Sequence, residues 1–239
     1  DGFFVRQEGA ELTGYEIELL RDLGTRLLAT RGISAKPNIT YTRRIWGEDF
    51  FRLLEQDGAV DLIASAISIT AEREKTYGLL FTQPTLQYPQ TMISKPGTKA
   101  FAEGKLVLTK VGAAEKTTNE TFARKLLGET ASERFVPYGG SGAYDRMLAD
   151  LVAERIDGAL IDKPYAIQKV AELKQSIGAD LALTDITPEI VPGIELERMG
   201  FAVRKSDRAL LQALDEQLTA TAAGRDGVLS TSIPGWSQN

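Results

Sequence analysis

The chain has 239 residues, of which 43% are hydrophobic, and a formal net charge of −5. This length and composition can bury a sizeable core, in one large domain or in two smaller lobes. Cysteine and histidine are absent, which excludes thiol nucleophiles, Ser-His-Asp triads and the usual zinc ligands. A metal site would have to be built from oxygen ligands alone, and we predict no metal site and no cofactor. No Lys/Arg run is dense enough for a nucleic-acid partner, and no segment approaches the roughly 20 consecutive apolar residues of a membrane span.

Strand and helix patterns alternate along the chain, which predicts an α/β architecture. The first helix is predicted over 14–29, where Thr13 and Glu16 have the spacing of a capping box. The other predicted elements are, in chain order, a strand over 38–41, a helix over 48–54, strands over 60–67 and 105–112, a helix after 117, a strand ending at 162, a strand over 200–204 and a final helix after Ser206.

Two irregular stretches predict where the chain passes between two lobes. Residues 91–94, before a Lys-Pro-Gly turn, indicate an extended connection that leaves the first lobe, and PEIVPGIELERMG, residues 188–200, indicates the return. The sequence therefore predicts a first lobe of residues 1–94 and 190–239, a second lobe of residues 95–189, and a hinge of two segments.

The segment VDLIASAISITAEREKT, residues 60–76, places an arginine where helix electrostatics favour an acid. Val60–Ile67 is almost entirely apolar, as is typical of a strand buried on both faces of a parallel sheet. Thr70 is a good N-cap residue, so Arg73 falls in the first helical turn, where the helix dipole disfavours a cation. A bound carboxylate would explain this placement. The alternative is that Arg73 pairs with a neighbouring glutamate or with solvent.

The segment RIDGALIDKPY, residues 155–165, has a similar pattern: an apolar run that ends in Asp162. Ligands of open α/β sheets bind outside the carboxyl ends of the strands, where Arg73 and Asp162 would both lie. A cation and an anion at that place would match an α-amino acid zwitterion. The alternative role of Asp162 is to cap the helix that Pro164 opens.

A third strand-to-helix junction carries two threonines. Thr117 precedes Glu120 by three residues, which is the spacing of a capping box. Helix capping alone would explain Thr117 and Thr118. The alternative, compatible with capping, is that they offer hydroxyl and backbone N–H groups to the carboxylate that Arg73 binds.

These segments resemble a known family, the type II periplasmic solute-binding proteins of the polar amino acid class, whose fold is shared with the ligand-binding domains of ionotropic glutamate receptors. The most specific match is DLIASAISITAEREKTYGLLFTQP, residues 61–84. Further matching segments are LTGYEIELL at 12–20, VGAAEKTTNE at 111–120, DGALIDKP at 157–164 and GFAVRKSD at 200–207. The resemblance covers nearly the whole chain and implies the two-lobe α/β fold of that family.

The resemblance also implies roles for individual residues. The ligand α-carboxylate is expected on Arg73, assisted by Thr117 and Thr118, and the α-ammonium on Asp162. Ser65 and Ser68 are candidates for further hydroxyl contacts, and Phe4, Tyr15 and Trp46 for packing on the aliphatic part of the ligand, with core packing as the alternative role of the aromatic residues. The predicted ligand-binding residues are Arg73, Asp162, Thr117, Thr118, Ser65, Ser68, Trp46 and Phe4.

The sequence departs from the family pattern at two places. The family usually begins with a strand that carries an aromatic residue near its end, whereas this numbering starts directly before Phe3 and Phe4. Either that strand was removed or it lies outside the numbering, where we also expect a signal peptide or the flanking segments of a receptor. Lys116 stands where the family has a glycine before the threonines, although glycine is favoured where φ is positive.

The resemblance implies a monomeric periplasmic or extracellular protein that binds a free amino acid between closing lobes, as the receptor of an ABC transporter and its membrane subunits. The sequence leaves three alternatives: a sensor domain of a receptor or channel, a dehydratase-like enzyme with Glu48, Glu72 or Glu115 as the acid, and a partner-binding protein with an empty cleft. For the ligand, we favour a polar amino acid with an uncharged or acidic side chain.

Overall fold

The computed structural model describes residues 4–8, 11–42, 50–55 and 59–220. The strands of these residues are β1 (Arg6–Glu8), β2 (Glu11–Thr13), β3 (Leu62–Ile63), β4 (Leu79–Phe81), β5 (Leu86–Tyr88), β6 (Gln90–Ser94), β7 (Phe101–Ala102), β8 (Lys105–Leu106), β9 (Val111–Ala114), β10 (Phe135–Tyr138), β11 (Gly158–Asp162), β12 (Ala182–Ile186), β13 (Glu197–Met199) and β14 (Ala202–Arg204). The α-helices are α1 (Tyr15–Ala29), α2 (Ala71–Tyr77), α3 (Thr118–Leu127), α4 (Ala131–Arg134), α5 (Ala143–Val152), α6 (Lys163–Ile177) and α7 (Arg208–Ala220), with 3₁₀ turns at Phe51–Leu54 and Gly128–Thr130.

The chain divides into two compact units. Unit 1 consists of Asp1–Gln87 and Arg198–Asn239, and unit 2 is the continuous segment Tyr88–Glu197. The chain therefore passes between the units twice, once within β5 and once within β13.

Unit 1 contains a small antiparallel sheet. In its described residues the strand order is β3-β14-β4, and β14 runs antiparallel to both neighbours. Helix α1 packs against α7. A cluster of buried side chains covers the sheet: Phe50, Phe51, Leu54, Ile63, Ile67, Leu79, Phe81 and Ala202.

The predicted strand over 60–67 is wrong in length and in direction of pairing. Only Leu62–Ile63 is a strand, and it pairs antiparallel with β14. The extended backbone ends soon afterwards because Ala66 takes a positive φ of 53°, which is incompatible with a strand.

Two other predicted elements also differ. Residues 38–41 form no regular strand, and the helix predicted over 48–54 is described only as a 3₁₀ turn at Phe51–Leu54, with 48 and 49 outside the described residues. The segment 38–41 has no hydrogen-bonded partner strand in the described part of the chain.

Unit 2 is built on a larger mixed sheet. Its described residues form the strand order β10-β9-β11-β6-β12, in which β9 is parallel to both β10 and β11, whereas β6 is antiparallel to β11 and β12. Residues 91–94, predicted as an extended connection, are extended and belong to β6, which pairs on both of its sides.

Both faces of this sheet are buried, because successive residues of a strand point to opposite faces. Met92 and Leu160 pack in a cluster with residues of α3, whereas Ile93, Ala159 and Ile161 pack in a second cluster with residues of α5 and α6. This arrangement places helices on both sides of the sheet, as the α/β prediction requires.

The topology also decides which chain ends meet at one edge of the sheet. Strands β9 and β11 are parallel, so the residues that follow both strands lie at the same edge. Strand β6 runs in the opposite direction and begins there, with Gln90 opposite Asp162. In the described residues, no helix is both long and apolar enough to cross a membrane.

Candidate functional site

Arg73 is held at the start of α2 by the turn that precedes it. Thr70 is the N-cap residue, and its hydroxyl accepts a hydrogen bond from the backbone N–H of Arg73 at 3.1 Å, which confirms the predicted cap. The guanidinium donates from Nη1 to the Ser68 carbonyl oxygen at 2.7 Å, and its Cζ lies 5.3 Å from the ring centroid of Phe51. These contacts fix the direction of a partly buried cation on unit 1.

The two serines predicted beside Arg73 have different surroundings. Ser68 is buried, and the backbone on either side of it is paired, with Ile69 N–H donating to the Arg198 carbonyl and Gly200 N–H to the Ile67 carbonyl. Ser65 is partly buried and directly precedes Ala66. The structure therefore brings Ser65, Ser68 and Arg73 into one turn-and-helix segment.

A residue that the sequence reasoning interpreted differently, Glu16, holds this turn. Helix α1 begins after Gly14 without a side-chain cap, so the predicted capping box of Thr13 and Glu16 is wrong. The Glu16 side chain is fully buried, and both of its carboxylate oxygens lie 3.0 Å from the backbone nitrogen of Ala66. Burial raises the pKa of Glu16 to about 7, and the Ala66 hydrogen bond opposes that rise.

The aromatic candidates of unit 1 lie in or beside its core. Tyr15 is fully buried and its hydroxyl donates to the Thr85 carbonyl oxygen at 2.5 Å. Phe4 is 9% exposed, and its carbonyl oxygen accepts from the backbone N–H of Glu16. Trp46 lies outside the described residues.

In unit 2, Asp162 occupies a capping position without acting as a cap. It precedes α6, which has Pro164 in its first turn, but the Asp162 side chain makes no capping hydrogen bond. Asp162 Oδ1 instead accepts a hydrogen bond from Asn119 Nδ2 at 3.2 Å. The alternative in which Asp162 serves only as a helix cap is therefore wrong.

Thr117 and Thr118 begin α3 at the same sheet edge. Thr117 Oγ1 accepts from Glu120 N–H at 3.3 Å, which confirms the predicted cap, and donates its proton to the Ala114 carbonyl oxygen at 2.6 Å. Lys116 has a φ of 60°, so the backbone keeps the positive φ for which a glycine would be favoured. Thr118 is partly buried.

Two buried amides complete this edge, and the sequence reasoning missed both. Asn119 and Gln90 are each 1% exposed. Asn119 Nδ2 donates to Gln90 Oε1 at 2.8 Å as well as to Asp162, and Asn119 Oδ1 accepts from the Tyr144 hydroxyl at 3.3 Å. The sequence feature that could have indicated Asn119 is its position directly after the two threonines, on the buried side of α3.

The candidate acids and metal ligands can be placed in part. Glu72 and Glu115 are exposed, and Glu48 lies outside the described residues. Among the side chains that the structure describes, no group of three or more Asp or Glu residues could hold a metal ion.

The family model of the bacterial extracellular solute-binding proteins, family 3, matches residues 2–230. The chain belongs to this family, and its α/β structure has the two-lobe fold of the type II periplasmic solute-binding proteins of the polar amino acid class. The resemblance and the fold class predicted from the sequence are thus confirmed. No curated protein is significantly similar in sequence.

Three solved structures illustrate the likeness of fold. A structure from a study of glutathione import via GshT and the cystine ABC importer TcyBC of Streptococcus mutans is 17% identical, with 96% of this chain and 87% of that chain covered and a TM-score of 0.72. The ancestral amino acid-binding protein AncCDT-1, a precursor of cyclohexadienyl dehydratase, is 21% identical, with coverages of 98% and 92% and a TM-score of 0.70. The arginine-, lysine-, histidine-binding protein ArtJ from Geobacillus stearothermophilus is 19% identical, with coverages of 99% and 94% and a TM-score of 0.68.

Proposed function

We propose that the chain binds a free amino acid, with the α-carboxylate on Arg73 of unit 1 and the α-ammonium on Asp162 of unit 2. The observation that carries this proposal is the state of Asp162, a carboxylate at a helix start that does not cap the helix and is oriented by a buried amide. Such a carboxylate suits a bound cation better than a purely structural role.

The geometry of Arg73 supports the other half of the proposal. Its guanidinium is held by the Ser68 carbonyl and the Phe51 ring, so it is oriented before a ligand arrives, which lowers the entropic cost of binding. The hydroxyl of Thr118 and that of Ser65 are the further donors that we propose for the carboxylate. Phe4 and Trp46 stay predictions.

The relatives support an amino acid as the ligand class. Structures of similar fold are those of an ancestral arginine-binding protein bound to arginine, the same kind of protein bound to glutamine, and ArtJ. We propose that this chain acts outside the cytoplasm as a monomeric solute receptor, delivering its ligand to the membrane subunits of an ABC importer, and that the two units close on one ligand molecule.

An enzymatic role is the weaker candidate. It is favoured by one observation, the likeness to a precursor of cyclohexadienyl dehydratase. A dehydratase needs a general acid near its substrate, and two of the three candidate acids are exposed glutamates. We therefore propose binding without catalysis.

The test is a titration of the purified chain with each common L-amino acid, by thermal shift and then by calorimetry. A ligand at a hundred times its dissociation constant should stabilise the fold by about 2.7 kcal/mol. At least one amino acid should bind with one molecule per chain, whereas its N-acetyl derivative and its amide should bind far less tightly. If no amino acid changes the melting temperature and none gives binding heat, the proposed function is wrong.

A further inference from the structure

The partly buried carboxylate of Glu197 belongs to a hydrogen-bond chain that reaches Asp162. Gln90 Nε2 donates to Glu197 Oε2 at 2.7 Å, and Gln90 Oε1 accepts from Asn119 Nδ2 at 2.8 Å. The same Asn119 nitrogen donates to Asp162 Oδ1 at 3.2 Å. Two carboxylates of unit 2 are therefore joined through two buried amides.

This chain of amides gives Glu197 a hydrogen bond but no positive charge. Among the residues that the structure describes, no lysine or arginine forms an ion pair with Glu197. A neutral amide orients a carboxylate, but it does not balance the charge of a group that is partly removed from water. Glu197 therefore favours a cation that arrives with the ligand.

Two tyrosines show that Asp162 and Glu197 share one environment. The pKa of Tyr88 is raised by burial and then by the charges of Asp162 and Glu197. Burial also raises the pKa of Tyr144, and the charges of Asp162 and Glu197 add to that rise. The two carboxylates thus lie close enough to act on the same two phenols.

The hydroxyl of Tyr88 is buried beside Asp162. Tyr88 is 1% exposed, and the Asp162 carboxylate raises the pKa of the Tyr88 hydroxyl through its charge and through a hydrogen bond. A protonated phenol can accept a hydrogen bond from an ammonium or guanidinium group.

We propose that Glu197, with Asp162 and the Tyr88 hydroxyl, selects an amino acid with a cationic side chain. The inference rests on the proposed function and adds the ligand class. In that complex Arg73 balances the α-carboxylate, Asp162 balances the α-ammonium, and Glu197 balances the side-chain cation. A ligand with an uncharged side chain leaves one carboxylate without a counter-charge, and an acidic side chain adds a second anion. This class is opposite to the one that we favour from the sequence.

The first test compares ligands that differ in one charge. Calorimetry measures the binding of L-arginine against L-citrulline, whose urea group is neutral and of similar shape, and of L-lysine against L-norleucine. The cationic member of the better pair should bind about 100-fold more tightly, as expected for a desolvated charge pair.

The second test uses matched variants of the same chain segment. Glu197→Gln keeps an acceptor for Gln90 and should lower the affinity for the cationic ligand by about tenfold or more, with little change for its neutral analogue. Glu195→Gln makes the same substitution at an exposed position two residues earlier and should bind as wild type does. Tyr88→Phe should also bind the cationic ligand less tightly than wild type does, with little change for its neutral analogue.

The outcomes are separable. Tightest binding of L-glutamine or L-glutamate by the wild type, with no preference for arginine over citrulline or for lysine over norleucine, overturns the cationic class and leaves the proposed function standing. If Glu197→Gln loses affinity equally for the cationic ligand and for its neutral analogue, Glu197 has a structural role, and this result also overturns the inference. Failure of every amino acid to bind overturns the proposed function, and the inference with it.

Discussion

The carboxylate of Glu16 in α1 accepts hydrogen bonds from the backbone N–H of Ala66, with each oxygen 3.0 Å from the nitrogen. This contact ties the first helix of unit 1 to the turn that leads into the helix of Arg73. A carboxylate without exposure is costly in its charged form, which is why burial raises the pKa of Glu16 to about 7.

The first prediction concerns the pH dependence of stability. A folded-state pKa of about 7 against a reference of 4.5 means that the folded chain holds this proton more tightly than the unfolded chain does. The stability that this proton contributes is fully present below pH 4.5. It is lost as the pH rises through 7, which lowers the free energy of unfolding by roughly 3 kcal/mol. Glu16→Gln lacks this loss, so its free energy of unfolding should rise relative to wild type between pH 4.5 and 8.

Urea unfolding of both proteins across this pH range measures the difference directly. The matched control is Glu18→Gln, which changes an exposed glutamate of the same helix and should give a curve parallel to that of wild type. Parallel curves for Glu16→Gln as well would show that Glu16 keeps its reference pKa in the folded chain.

The second prediction concerns Arg73 as the carboxylate anchor. Arg73→Ala should weaken the binding of the best amino acid by about 2–5 kcal/mol, because the ligand carboxylate then loses its charge partner. Arg73→Lys should also bind poorly, since a point charge does not replace a guanidinium that donates from two nitrogens. Calorimetry measures both, with Lys75→Ala, an exposed cation of the same helix, as the control. Binding by Arg73→Ala within a few-fold of wild type would rule out the assignment.

The third prediction concerns Asp162 as the ammonium ligand. Because Asp162 makes no capping hydrogen bond, Asp162→Asn should change the melting temperature little while the affinity for amino acids drops strongly. Wild type should reject the N-acetylated ligand, whereas the variant should discriminate much less. Asp180→Asn, an exposed position of the same unit, serves as the control. Unchanged affinity with a lowered melting temperature would show that Asp162 has a structural role only.

The fourth prediction concerns the buried amide of Asn119. Asn119→Ala removes the donor to Gln90 and Asp162 and leaves buried polar groups unsatisfied, so it should cost about 1–3 kcal/mol of stability. Asn119→Asp should cost more, because it places a second negative charge beside Asp162. Chemical denaturation measures both variants, and Thr121→Ala, exposed on the same helix, should be nearly neutral. An Asn119→Ala variant as stable as wild type would contradict the network.

The fifth prediction concerns closure of the two units on one ligand. Small-angle scattering should give a smaller radius of gyration when the best amino acid saturates the wild type. In Asp162→Asn, the radius of gyration should decrease less than in wild type, even at a ligand concentration at which the ligand carboxylate occupies Arg73. An unchanged radius of gyration at saturation would argue that the ligand is held by one unit alone.

Short-range patterns predicted the local parts of the site correctly. Thr70 caps the helix of Arg73, and Thr117 with Glu120 caps α3, because a cap depends on residues three positions apart. The same rule failed for Thr13 and Glu16, since the Glu16 carboxylate binds an amide fifty residues away. A local motif does not reveal a distant competitor for the same side chain.

The rest of the site is assembled from segments that are far apart in sequence. Gln90, Asn119, Asp162 and Glu197 stand on three strands and a helix, and only the sheet topology brings them together. Strand β3 shows the same limit, because an apolar run indicates burial but not the direction of its partner strand. The two buried amides could therefore be identified only from the structure.

The position of β14 in the sheet of unit 1 sets an order for assembly during synthesis. In the described residues, β3 and β4 both have β14 as their neighbour, although β14 is translated only after the whole of residues 88–197. Unit 2 is continuous and can fold as soon as its last strand emerges, whereas the edges of β3 and β4 stay open until Arg204 appears. Unpaired edges invite association with other chains, so β3 and β4 stay open to such association until the chain has passed through unit 2 and reached β14.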